Sequence, residues 1–440
     1  MNPNDNLQRL SEAVAALEGA TARGRLTALV DEGSFVELDA LYGAGVVTGY
    51  GAIDGQPVFV FAQDSAALGA AQAARIRKVY GLAVKTGAPV IGLYDSNGAK
   101  LTEGYEMLTA YGDLLLCVNN LSGVVPQIAV VTGACGGTSA LLAAAADFVI
   151  MAADAELFVA PPSVSGGSGT AQAAAEAGVC HIVAADADAA IARARALAGL
   201  LPANNLAAPP LFEGDAPAGD SACPIERVAD AGSLLALGEA YAPHASTSLG
   251  TLGGVPVGFA GIHGALCADA CKKLARFVRF CDAFGLPLVT AVDTEGFAET
   301  ADAEDIRAYA QLGHVYAEAT CQKLAVIAGK AYGAAYIALA GKAANADLVF
   351  ALPDAVISPL APETAVSILY NDRITQQTSR EQLAAAYEAG EASAFAAAKA
   401  GVVDAVVAPT DLRDALISSL DVLAGKRESR LPKKHSVSPL

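Results

Sequence analysis

The sequence predicts an α/β fold made of two copies of one domain. Three observations carry that expectation. Apolar runs ending in turn residues alternate with segments of helical spacing, and the second half repeats the first at a near-constant offset. Between the halves lies "LPANNLAAPPLFEGDAPAGDSACP", a stretch dense in proline, glycine and acid that reads as a linker. At 440 residues the chain is too long for one ordinary core and suits two domains of about 200 residues each. The expected division is a first domain over 1–210, a linker over 211–235 and a second domain over 236–440.

The elements follow in order. "VTGYGAIDGQPVFVFAQD" reads as two strands joined by an Asp-Gly turn, and a helix is expected from about Gly69 to Thr86. "APVIGLYDSNG" is a continuous apolar run closed by turn residues, the pattern of a buried strand, and "GYEMLTAYGDLLLCVNNL" has the three-to-four spacing of a helix. "PQIAVVTGACGG" is a further strand, "TSALLAAAA" a helix, and "DFVIMAADAELFVAPP" contains more strand. The second half runs through the same series. "TSLGTLGGVPVGFAGIHG" matches the strand pair, "CKKLARFVRFCDAFGLPLVTAVDTEG" the helix and strand, and "QKLAVIAGKAYGAAY" the segment "PQIAVVTGACGGTSA". Asp293 follows Asp95 by 198 residues, Gly333 follows Gly137 by 196 and Asp347 follows Asp147 by 200.

Composition narrows the function. The net charge of −18 argues against nucleic acid as a partner, and an anionic substrate would need a local basic patch. The chain is 54% hydrophobic with mean hydropathy +0.41, yet its apolar runs break well before the ~20 residues of a membrane span. "MNPNDNLQRLSEAV" lacks the pattern of a secretory signal, so a cytoplasmic location is expected. Eight cysteines scattered in apolar stretches suit buried thiols in a reducing compartment. Cys267 and Cys271 stand one helical turn apart, but no second pair follows, and no metal is expected.

The chemistry concentrates where a strand runs into a glycine-rich turn and then a helix. Backbone N–H groups at a helix start carry partial positive charge, and small side chains let a ligand oxygen approach them. Aimed at a thioester or urea carbonyl, such donors form an oxyanion hole. Glycine there also permits a helix to pack closely on a strand; two equivalent turns in a tandem repeat favour the binding role. His181, His244, His263, His314 and His435 are scattered and read as surface or core residues, and no acid/base pair stands near either turn.

"LVDEGSFVELDALY", "VVTGYGAIDGQPVFVFAQD", "GAPVIGLYDSNGA", "ARFVRFCDAFGLPLVTAVD", "GKAYGAAY" and the ending "GKRESRLPKKHSVSPL" are spread through both halves. Together they resemble the carboxyltransferase component of biotin-dependent acyl-CoA carboxylases and decarboxylases, as in propionyl-CoA carboxylase beta and methylmalonyl-CoA decarboxylase alpha chains. The resemblance implies tandem crotonase-like domains, β-β-α superhelices of the ClpP/crotonase type, one binding acyl-CoA and the other the biotin of a separate carrier protein. It also implies a homo-oligomer, expected as a hexamer, with sites formed between subunits, working beside a biotin carboxylase or a membrane decarboxylase subunit. The three methionines, Met1, Met107 and Met151, are not followed by lysine, so the usual biotin attachment site is absent from this chain.

The implied roles fall on the two turns. "CGGTS" would hold the acyl-CoA carbonyl through N–H groups around Gly137 and Thr138, beside Gly136. In "AYGAAY" the residues Gly333, Ala334 and Ala335, beside Tyr332, would hold the biotin ureido oxygen. Ile337 occupies a position that in the family lines the acyl pocket, and an apolar side chain there suits a short acyl group; ordinary core packing is the other reading. Arg75 and Lys78, three apart on one helix face of the acyl-CoA copy, are the candidate cations for coenzyme A, or simply part of a solvated face. Departures from the family phrases are Asn97 for glycine, Lys100 for arginine, Glu295 for proline and Thr138 for glycine. A β-branched residue does not take glycine's positive φ, so Thr138 is expected to reshape the first pocket. A crotonase-type hydratase usually needs paired carboxylates, a Clp-like protease needs a histidine beside Ser139, and a noncatalytic scaffold would keep the fold without the chemistry.

Overall fold

The computed structural model describes residues 3–15, 20–42, 45–165, 169–218, 221–298, 303–339 and 341–439. The chain divides into two compact units, Met1–Ala208 and Pro209–Leu440. Residues 211–235, read from composition as linker, lie in the second unit, apart from Gly219 and Asp220, which fall outside the described residues. The reason is local. Phe212 donates its N–H to Gly254, and the short helix Pro224–Val228 buries Ile225 and Val228 against the second sheet.

Each unit is an eight-stranded sheet. In the first, the order is Val36–Leu38, Val46–Ile53, Gln56–Gln63, Val90–Ser96, Gln127–Gly136, Phe148–Ala152 and Ile182–Ala184, with Glu156–Phe158 added alongside Gln127–Gly136. The opening hairpin is antiparallel and the strands after it run parallel. The second sheet repeats this from Leu235–Ala236 to Ala405–Val406, and Val356–Ser358 is the added strand beside Lys323–Tyr332. Parallel strands carry helices on their faces, which is why Val90–Ser96 is buried at every position rather than alternating. Helices Ala70–Thr86 and Tyr105–Leu121 cover one face of the first sheet through Ile76, Val79, Tyr111 and Leu114.

The two copies share devices as well as topology. Glu103 accepts from the first N–H of the helix at Ala70, at 2.7 Å, and Asp305 does the same for Ala268 at 3.1 Å, satisfying donors that a helix start leaves unpaired. Asp147 accepts from Gln127 N–H at 2.8 Å, and Asp347 from Lys323 N–H at 2.7 Å, each fixing the start of the strand that carries a glycine turn.

Candidate active site

In the first unit the strand Gln127–Gly136 breaks at Gly137, whose φ of +62° is the left-handed conformation only glycine adopts cheaply. Helix Thr138–Ala144 starts immediately after. The positive φ thus falls on Gly137 and not on Thr138, so the β-branched residue enters the helix without the strain its substitution for glycine suggested. Gly137 N–H is already committed to Phe158 O at 2.9 Å, while Ala140 N–H returns to Gly137 O at 3.1 Å. The N–H groups of Thr138 and Ser139, in the first turn, have no helical carbonyl upstream to receive them. Beside them the structure is open: a Cβ added at Gly137 meets nothing within 4 Å. Gly136 is small for another reason, since a Cβ there would lie 2.9 Å from the Phe158 ring.

A cavity of about 460 Å³ adjoins this turn, with Thr138 at one side and Leu101, Tyr105, Leu108 and Tyr111 among its walls. Tyr105 and Leu108 are exposed, and Tyr111 Oη lies 3.1 Å from the buried Ser139 Oγ. Helical spacing places this helix correctly but assigns these residues no role. The signal was available: "GYEMLTAY" carries Tyr105 and Leu108 off the face that Met107 and Tyr111 bury. Cys135 is no nucleophile here, because burial pushes its thiol up to about 12.

The second turn has the same form with a tighter fit. Strand Lys323–Tyr332 leads to Gly333 at φ +52°, and helix Gly333–Ala338 begins there. A Cβ on Gly333 would stand 2.8 Å from Pro359 O. Ala335 and Tyr332 are buried, whereas Ile337 is 53% exposed, which sets it apart from core packing within this unit. Lys330, the lone charge of "GKAYGAAY", pairs with Glu295 at 2.5 Å, and that hydrogen bond holds its ammonium above the ordinary lysine value. Glu295, a departure from the family phrase, thus touches the strand that carries this turn.

Arg75 and Lys78 share a helix face but not an environment. Arg75 is 4% exposed, and burial lowers its pKa against the opposing effect of Glu37 and Asp39. Lys78 is on the surface, 2.7 Å from Asp39. Of the histidines, His181 accepts from Val149 N–H and stacks edge-on against Phe148, a structural role. His263 is different: its Nδ1 lies 2.8 Å from Asp293 Oδ2, a contact between residues 30 apart that spacing alone does not reveal. Among the described residues no group of three or more His, Cys, Asp or Glu is placed to hold a metal ion, and no helix is long and apolar enough to cross a membrane.

Residues 18–438 match the carboxyl transferase domain family. The methylmalonyl-CoA decarboxylase subunit alpha of Veillonella parvula is 37% identical over 96% of this chain and 93% of its own. The propionyl-CoA carboxylase beta chain of Saccharopolyspora erythraea is 35% identical over 96% and 90%. Among solved structures, transcarboxylase 12S, a hexamer assembly determined with methylmalonyl-coenzyme A and methylmalonic acid bound, aligns at a TM-score of 0.91 and 30% identity over 100% of this chain and 99% of that one. The expected tandem crotonase-like architecture is thereby established. With a family match spanning nearly the whole sequence and the repeated strand, glycine turn and helix in both units, the chain belongs to the carboxyl transferase family and is a biotin-dependent acyl-CoA carboxyltransferase.

Proposed function

We propose that this subunit moves a carboxyl group between biotin on a separate carrier protein and the α-carbon of a short-chain acyl-CoA, with the first unit binding acyl-CoA and the second binding biotin. The observation that carries the reading is the pair of matching turns, each a strand, a positive-φ glycine and a short helix. The residues at both turns fit these groups: open space above Gly137 admits a thioester carbonyl, and Ala334 and Ala335 leave no bulk against a flat ring. Biotin, when bound, supplies the carbon dioxide and a ureido nitrogen that takes the α-proton.

The chain's own work is electrostatic. N–H groups at Thr138 and Ser139 hold the thioester oxygen as the α-carbon loses its proton, and Gly137 sets their aim. N–H groups following Gly333 hold the ureido oxygen as charge develops there. Each donor of this kind is worth about a hundredfold in rate. On this reading the ureido nitrogen takes the proton and no side-chain base is required. Leu101, Tyr105 and Leu108 give the cavity beside the first turn an apolar wall, and Ile337 favours a short apolar acyl group. Lys78 is a surface cation of this unit offered to coenzyme A; Arg75, being buried, sits instead within reach of the charges of Glu37 and Asp39. The reaction runs equally in the decarboxylating direction, as the similarity to a decarboxylase alpha subunit suggests. The acyl-CoA turn of one subunit is completed by the biotin turn of another in a homo-oligomer, and a biotin carboxylase or a membrane decarboxylase subunit works beside it.

The test is transfer itself. Purified protein mixed with carboxylated carrier and propionyl-CoA should yield labelled methylmalonyl-CoA, and should do so only when carrier is present. Failure of transfer from carrier to any acyl-CoA of two to four acyl carbons would refute the proposal.

A further inference from the structure

In both units the strand leading to the glycine turn is interrupted just before it. Val292 pairs with Ile327 and Thr294 with Ala331, so two steps on one strand oppose four on its neighbour. Tyr94 pairs with Val131 and Ser96 with Cys135, the same mismatch. A bulge re-aims the chain beyond it, and here the chain beyond it reaches Gly333 in one unit and Gly137 in the other. An aspartate fills each bulge. Asp293, between the two paired positions, accepts a hydrogen bond from Lys330 N–H at 2.9 Å. A Cβ on Gly329 would collide with the Asp293 carboxylate, and one on Gly133 would lie 2.5 Å from Asp95 Oδ1. Neither glycine has a positive φ; each is small to leave room for the carboxylate.

The two carboxylates are held by different partners. Arg25 Nη1 lies 3.3 Å from Asp95 Oδ2 and donates to Thr132 Oγ1 at 3.0 Å. Arg25 stands on helix Thr21–Leu29, six residues before Asp31. In the second unit the corresponding helix is only Pro224–Val228, and Pro224 stands six residues before Asp230, the counterpart of Asp31. A cavity of about 450 Å³ opens there, lined among others by Pro224, Ser246, His263, Asp293 and Ala328. Asp293 Oδ2 pairs with His263 Nδ1 instead of an arginine.

We propose that Asp293, backed by His263, is a positioning residue for the biotin-side turn: it pins the bulged backbone at Lys330 and so sets the aim of the N–H groups beyond Gly333. This rests on the assignment of that turn to biotin made above. Asp95 holds the same place ahead of the acyl-CoA turn, and the two should fail on opposite substrates.

The experiment uses full-length, assembled protein and measures transfer with carrier and acyl-CoA varied separately. Asp293→Ala should lower kcat with carrier about tenfold or raise KM for carrier by as much, leaving KM for acyl-CoA within twofold. Asp293→Asn, whose amide oxygen still accepts from Lys330, should recover most of the loss. His263→Ala, a change at an exposed residue that does not threaten folding, should show a smaller loss in the same carrier parameter. Asp95→Ala should shift the acyl-CoA parameter. Equal damage to both substrates by Asp293→Ala, or no advantage of asparagine over alanine, makes the residue a general scaffold contact and overturns the proposal. Ala334→Val, measured alongside, separates the two levels. If it blocks use of carrier while the Asp293 and His263 variants behave as wild type, the positioning role is wrong and the turn assignment stands. If it leaves carrier use intact, the assignment falls and the proposal with it.

Discussion

Asp230 and Asp31 hold equivalent places in the two copies and differ in burial, so replacing each by alanine should give two different losses from one design. Asp230 accepts from the N–H groups of Gly253 and Gly254 at 2.9 and 2.8 Å and from Arg413 at 2.7 Å. Its side chain is 3% exposed and that of Arg413 14%. Asp31 accepts from Asp54 and Gly55 N–H at 3.1 and 2.9 Å and pairs with Arg195, both side chains about 30% exposed. Removing Asp230 leaves a nearly buried arginine charge uncompensated, a loss of about 3–5 kcal/mol, or roughly 10 °C in melting temperature for a unit of this size. Removing Asp31 leaves a hydrated arginine and costs about 1 kcal/mol, or roughly 2–4 °C. Burial raises the Asp230 carboxyl, but hydrogen bonds from Thr251, Gly254, Arg413 and Gly253 outweigh it and leave the group below the ordinary aspartate value. A depressed carboxyl contributes stability above its unfolded pKa of about 4 and loses it as pH falls through the folded value, so the gap between wild type and Asp230→Ala should narrow in acid. Calorimetry at pH 7 and again well below pH 4, at about pH 2.5, on samples of matched assembly state, gives the answer. Equal melting shifts for the two variants, or a gap that does not narrow on acidification, would refute the reasoning.

Other outcomes concern the turns and the assembly. Gly333→Ala sets a Cβ 2.8 Å from Pro359 O and must move the turn, so carrier-dependent transfer should fall at least tenfold; kinetics matching wild type would show that the turn tolerates displacement. Gly137→Ala meets open space but must hold φ +62° with ψ −133°, a backbone region essentially confined to glycine, at about 1–3 kcal/mol of stability, with a smaller loss of turnover; differential scanning calorimetry beside transfer kinetics checks the contrast. Light scattering should give an oligomer, six copies of the 44.2 kDa chain, and a fully active monomer would contradict sites shared between subunits.

Much of the fold was legible because its signals are local. The helix expected from about Gly69 to Thr86 is Ala70–Thr86, and the match of Asp147 with Asp347 reappears as the same backbone hydrogen bond in each copy. The features that stayed hidden depend on contacts between distant residues. Helical spacing put Arg75 and Lys78 on one face but could not say that the first would be buried and the second would sit at the surface paired with Asp39. The turn at "CGGTS" was visible as glycine-rich, yet the commitment of Gly137 N–H to Phe158 O requires the added strand Glu156–Phe158, twenty residues on. His263 looked idle for the same reason: its partner Asp293 comes from the next parallel strand, and parallel register is not written in either segment alone.

The measurement that bears most directly on the account compares Gly137→Val with Ala334→Val in folded, correctly assembled protein. Acyl-CoA binding and carrier-dependent transfer are followed separately, after melting and assembly have been matched to wild type, because a bulky residue under a helix destabilises by ~1–3 kcal/mol on packing grounds alone. Gly137→Val should weaken acyl-CoA binding and abolish transfer. Ala334→Val should bind acyl-CoA near normally and lose about a hundredfold in transfer from carrier, the value of one misplaced oxyanion donor. If both folded variants turn over at the wild-type rate, the two turns are packing devices and the division of chemistry between the units is wrong.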